Sequence, residues 1–116
     1  MGSILNSVKK MLGIPDEYTA FDEQIIIHIN SVFAILSQLG VGSGKFIITG
    51  PEETWENYLA TDDDVDIENV KSYVYLKVKM IFDPPSSSTA AEAFKSLISE
   101  FEWRLNVASD DWNDGL

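Results

Sequence analysis

Val70-Lys-Ser-Tyr-Val-Tyr-Leu-Lys-Val-Lys-Met-Ile-Phe-Asp-Pro-Pro85 decides the fold of this chain. Proline has no backbone N–H to donate and pushes the residue before it out of the helical region. Pro84 and Pro85 therefore stop whatever precedes them and make the chain turn. What precedes them reads two ways. Ile67, Val70, Val74, Val78 and Ile81 recur at helical spacing. Val74, Leu76, Val78, Met80 and Phe82 alternate as in a half-buried strand, and valine and tyrosine favour strands. Length separates the readings, because the pattern beginning at Ile67 outruns the about five or six residues of an average strand. A helix is expected here, with a second helix after the break and a helical hairpin across Asp83-Pro84-Pro85.

Downstream of the break, Thr89-Ala-Ala-Glu92 reads as a capping box, and Ala90, Phe94, Leu97, Phe101, Leu105 and Ala108 form the apolar stripe of the second hairpin helix. Glu100 and Arg104 add an ion pair one turn apart. Upstream, the first hairpin helix is expected to start within Asp62-Asp-Asp-Val-Asp66, where carboxylates complement the positive helix end. Lys77 and Lys79 then sit near its negative end. An earlier helix carries Phe21, Ile25, Ile29, Val32, Leu36 and Leu39. It opens at Thr19-Ala-Phe-Asp22, a capping box with Asp in place of Glu, and closes at Gly40. Ile4, Leu5, Val8, Met11 and Leu12 predict a short helix stopped by Gly13-Ile-Pro15, and Trp55, Tyr58 and Leu59 predict a short helix or turn. Lys45-Phe-Ile-Ile-Thr49 is the one strand candidate. Its missing partner suggests strand addition from another chain. The expected architecture is all-α: a small bundle of about four helices spanning residues 1–108, followed by an acidic tail over 109–116 that frays unless bound.

The totals narrow the function. The 116 residues, 45% of them hydrophobic, suffice for one domain with a real core. Eight Lys and Arg against nineteen Asp and Glu leave a net charge of -11, a surface that repels phosphate backbones and disfavours tight nucleic-acid binding. With no cysteine there is no disulfide framework and no thiolate metal site, which fits a reducing compartment. The apolar run at Ile25-Ile-Ile27 is broken by His28, Asn30 and Ser31, far short of the roughly 20 residues of a membrane span. Lys9-Lys10 interrupts the apolar part of any secretory signal, and Asn6 stands where myristoylation wants Ser or Thr. A soluble chain with no membrane partner is expected.

The motifs that promise chemistry each fail in detail. Leu39-Gly-Val-Gly-Ser-Gly-Lys-Phe46 resembles a phosphate loop, but Leu39 replaces its first glycine and Phe46 its magnesium-binding hydroxyl. Asp62, Asp64 and Asp66 alternate like calcium ligands, yet Ile67 stands where the turn needs glycine and Tyr73 where a bidentate Glu belongs. His28 has no cysteine or second histidine with which to bind zinc and no identifiable nucleophile to activate. No catalytic, metal or cofactor residue is assigned, and a non-enzymatic protein is expected. Trp103 lies off the stripe of its helix, which suits either a bundle edge or a partner anchor. Trp112 and Leu116, in the acidic tail, suit either disorder or a docking element.

Ile25-Ile-Ile-His-Ile-Asn-Ser-Val-Phe33, Gln38-Leu-Gly-Val41, Thr54-Trp55, the 73–85 stretch and Glu100-Phe-Glu-Trp-Arg-Leu-Asn-Val107, taken in order, resemble the head-tail connector proteins of tailed phages. The resemblance implies a small helical subunit, made in the bacterial host cytoplasm and incorporated at the head-tail interface of the virion. It implies a homo-oligomeric ring beneath the portal protein. That ring would extend the DNA channel without binding DNA specifically and give the next head-completion or tail protein a platform. An acidic lumen would let DNA slide, and a ring needs complementary faces on opposite sides of each subunit. The candidate interface residues are Phe46 and Ile48 on the strand candidate, Asp83, Pro84 and Pro85 at the hairpin, Trp103 and Arg104 on the last helix, and Trp112 and Leu116 in the tail. The competing reading from charge alone is an acidic regulatory or inhibitor module that masks a basic surface of a partner.

Overall fold

A computed structural model describes residues 2–42, 45–61 and 66–114, with side chains as far as residue 107. Among these residues the chain forms five helices and no sheet: α1 (Ile4–Met11), α2 (Asp22–Gln38), α3 (Trp55–Leu59), α4 (Ile67–Phe82) and α5 (Ser88–Asp114). The stretch that reads two ways is helical throughout. Asp66 caps α4 by accepting the Asn69 N–H at 3.4 Å, and Val70, Tyr73, Val74 and Val78 are buried along it. Ile81 continues that stripe but falls in the last turn, where the bundle ends, and is 46% exposed.

After Asp83-Pro84-Pro85 the chain reverses into α5, which packs along α4 as the expected hairpin. The cap of α5 is Ser87, not the Thr89 box. The Ser87 Oγ accepts the Ala90 N–H at 3.0 Å and its carbonyl accepts the Ala91 N–H at 3.0 Å. Ser87 stands two residues ahead of Thr89, and with its hydroxyl on the Ala90 N–H the helix has already started before Thr89 can cap it. Ile98 and Leu105 are buried and Phe94 and Phe101 half-buried, whereas Leu97, counted in the expected stripe, is exposed. The 94, 98, 101, 105 spacing tracks the helical repeat, and Leu97 lies at its edge.

The other expected capping box is also absent. Phe21 occupies the cap position of α2 and makes no side-chain capping bond. The Asp22 carboxylate is drawn elsewhere: its Oδ1 lies 2.8 Å from Nζ of Lys9, which is fully buried and also donates to the Asp16 carbonyl at 2.9 Å. A buried ammonium needs such partners to offset the loss of water, and that demand outweighs a local cap. Gly40 closes α2 as expected, with φ near +90°, which lets the Val41 N–H return to the Leu36 carbonyl at 2.8 Å.

The possible strand at 45–49 does not form among the described residues. Its place is taken by one side chain. The Ile48 N–H donates to Asn30 Oδ1 at 2.8 Å and Asn30 Nδ2 donates to the Ile48 carbonyl at 3.0 Å, the two bonds a neighbouring strand would supply. Ile48 is thereby held in the core, and Phe46 packs edge-on against Phe33 and Tyr58 at 5.3 Å each. Next to this segment, Thr54 and Asn57 form a reciprocal capping box that starts α3. α3 delivers Trp55 and Tyr58 to the centre of the core, with the Trp55 indole N–H directed at Ser7 Oγ at 3.3 Å.

Candidate interaction surfaces

Polar groups tie the two helices of the hairpin together. The Tyr73 hydroxyl donates to Glu102 Oε2 at 2.7 Å, and Lys77 Nζ lies 3.7 Å from the same oxygen. Burial pushes the Tyr73 phenol well above its ordinary range, and the Glu102 hydrogen bond and charge add to the effect. Farther along α5, Asn106 Nδ2 donates to the Leu39 carbonyl at 3.2 Å and ties the helix to the end of α2. At the turn, Lys79 Nζ pairs with Asp83 at 2.8 Å, Pro84 is exposed and Pro85 half-buried.

Two groups of exposed apolar side chains stand out among the described residues. On the outer side of α5, Trp103 is 67% exposed, and one turn on Val107 is exposed too. This answers the question left open by the sequence: Trp103 is outside the bundle. Arg104 beside it pairs with Glu100 at 2.7 Å and lies over the Phe101 ring at 5.7 Å. The second patch is at the pole of the bundle. Tyr18, Phe21 and Phe82 form a chain of ring contacts at 5.7 and 5.3 Å, extended to His28 at 6.5 Å, with Ile81 exposed in the adjoining turn of α4. Sequence reasoning placed Phe21 in the core and gave Tyr18 no role. The expected start at Thr19 put Phe21 inside the helix, whereas α2 begins at Asp22 and the Phe21 side chain precedes the stripe.

Of the other candidates, Ile48 is enclosed and Phe46 half-buried, while Ile47 between them faces out at 58% exposure. The Trp112 side chain and Leu116 lie outside the described residues, as do Asp62 and Asp64. Asp66 serves as the α4 cap, and among the described residues no three His, Asp or Glu side chains converge as a metal would require. Met11, Leu12, Tyr75, Leu76, Lys79 and Phe94 line a seam of about 130 Å³, well below the roughly 300 to 1,000 Å³ of small-molecule sites. No helix among the described residues is long and apolar enough to cross a membrane.

Neither a curated protein nor a solved structure matches this chain. A family model described as phage connector protein matches residues 4–111, from the first residue of α1 to within a few residues of the end of α5. That span includes the hairpin and both exposed patches, in agreement with the resemblance carried by the ordered segments of the sequence. The chain belongs to the phage connector protein family.

Proposed function

We propose that this protein is a head-tail connector subunit that assembles as a ring under the portal protein, extends the DNA channel and offers a docking platform to the next head-completion or tail protein. The observation that carries the reading is the family match over residues 4–111. Phage connector proteins are structural components of the virion, so the proposed role is that of a non-enzymatic adaptor. The physical properties are compatible with it. A net charge of -11 gives translocating DNA little to adhere to, since tight binding works through cationic side chains that release counterions. A hairpin locked by Tyr73 and Glu102 presents α5 as a stiff element, and stiff elements hold an interface at a set angle.

In this reading the hairpin turn at Asp83, Pro84 and Pro85 and the α5 residues Trp103 and Arg104 meet neighbouring subunits, and residues 109–116 engage the portal. Mixing the purified chain with portal complexes and imaging the particles tests it. A ring-shaped layer added beneath the portal is expected, and its absence across salt and concentration series overturns the proposal. Removing residues 109–116 should weaken that docking while leaving the melting temperature nearly unchanged. A large fall in melting temperature would assign the tail to the fold instead.

A further inference from the structure

The two exposed patches differ in chemistry, and the difference selects what covers them. The patch at the pole, with Tyr18, Phe21 and Ile81 at 48, 39 and 46% exposure, is bordered by the exposed carboxylates of Asp16, Glu17 and Glu23, while Asp83 beside it is paired with Lys79. Two copies of it facing each other would set carboxylates against carboxylates on chains that each carry -11, an arrangement that costs free energy. Among the described residues of the α5 patch the charges are balanced. Around Trp103 and Val107, Glu100 is matched by Arg104 at 2.7 Å and, farther back, Glu92 by Lys95 at 3.7 Å. Arg104 spends one nitrogen on Glu100, and a guanidinium has five N–H donors, which leaves others for a second carboxylate. Tryptophan and arginine are also among the residue types enriched at the energetic centre of protein interfaces.

We propose that copies of this chain meet head to tail, with Trp103, Arg104 and Val107 of one copy seated on the acid-rimmed aromatic pole formed by Tyr18, Phe21, Ile81 and Phe82 of the next. The contact is heterologous, so a pair of copies keeps one free patch of each kind and the series extends until it closes. One contact of this type covers both exposed patches, whereas an α5-to-α5 contact would leave the aromatic pole in water. This inference rests on the connector reading and names its subunit surfaces.

The chain contains no cysteine, so single thiols report proximity without background. Tyr18→Cys and Val107→Cys chains, each checked for wild-type helicity and melting temperature, are mixed in equal amounts and mildly oxidised. The expected result is a mixed 18–107 disulfide dimer in several-fold excess over either homodimer. A mixed species no more abundant than random pairing of the thiols overturns the proposal, as does a dominant 107–107 homodimer, the signature of two α5 faces packed together. Reversing Glu17 and Glu23 to Lys in the Tyr18→Cys chain should lower the mixed yield about threefold, and an unchanged yield removes the acidic rim from the interface. The crosslink uses the chain alone. A protein that layers onto portals without the mixed crosslink therefore refutes these surfaces and leaves the connector reading, and the converse result does the opposite.

Discussion

The Tyr73 hydroxyl reaches from α4 to Glu102 Oε2 on α5 at 2.7 Å, and this hydrogen bond fastens the middle of the hairpin whose turn is Asp83-Pro84-Pro85. It connects a residue at the start of the ambiguous stretch to the helix that bears Trp103. Tyr73→Phe keeps the ring and removes the bond. A loss of about 1 to 2 kcal/mol is expected at neutral pH, since Glu102 retains Lys77 nearby. Chemical denaturation of the two proteins measures it.

The same pair has a pH signature. The folded-state pKa of Tyr73 is raised above the ordinary value of 10.0, by burial first and then by the bond to Glu102 and its charge. The folded state therefore holds the phenolic proton more tightly than the unfolded state does. Its contribution to stability is complete below the unfolded pKa and is lost as pH climbs toward the folded one. The stability difference between wild type and Tyr73→Phe should be constant up to about pH 9.5 and shrink above it. Denaturation midpoints from pH 8 to 11 check this, and a difference that grows with pH would contradict the assignment.

Asn30 is expected to matter well beyond its own size. Asn30→Ala deprives the Ile48 N–H and carbonyl of their partners, at a cost of about 2 to 3 kcal/mol for two partly buried polar groups. Hydrogen exchange localises the effect: the Ile48 amide should lose protection while amides in the middle of α4 follow only the global change.

Lys9 and Asp22 are expected to behave as a unit. Asp22→Ala leaves a fully buried ammonium with the Asp16 carbonyl, and a loss of about 3 kcal/mol follows from stranding such a charge. Lys9→Met combined with Asp22→Leu should recover most of it, because the replacement apolar pair has no charge to desolvate. Urea titrations of the single and double variants decide the matter, and simple additivity would show that the two side chains act independently.

Trp103→Ala is predicted to separate stability from assembly. An exposed side chain away from caps and buried networks changes stability by less than about 0.5 kcal/mol, while loss of an interface anchor of this kind weakens association by about 2 kcal/mol or more. Thermal melts and sedimentation of the same samples read both quantities.

Much of the fold is legible in the residues because its causes are local. The length of the apolar pattern from Ile67 makes α4 a helix, Pro84 and Pro85 end it, and Gly40 ends α2. The surfaces are less legible. Thr89 and Thr19 both carry the right motif for a cap, but Ser87 preempts the first and Lys9 claims the Asp22 of the second. Lys45-Phe-Ile-Ile-Thr49 has the composition of a strand, and Asn30, eighteen residues before Ile48, satisfies that residue instead. Phe21 and Ile81 match their helical stripes and still face solvent, because each lies at a helix end.

Sequence alone determined where the helices lie, where the hairpin breaks, that the surface is acidic, and which family the ordered segments resemble. These depend on backbone propensity, periodicity and charge, which are properties of neighbours along the chain. Tertiary structure decided which apolar residues remain outside, which side chains satisfy a buried backbone, and how the aromatic pole joins Tyr18 and Phe21 to Phe82 from a distant segment. Those outcomes depend on which groups compete for the same buried space and the same hydrogen bonds, and that competition exists only once the helices have packed.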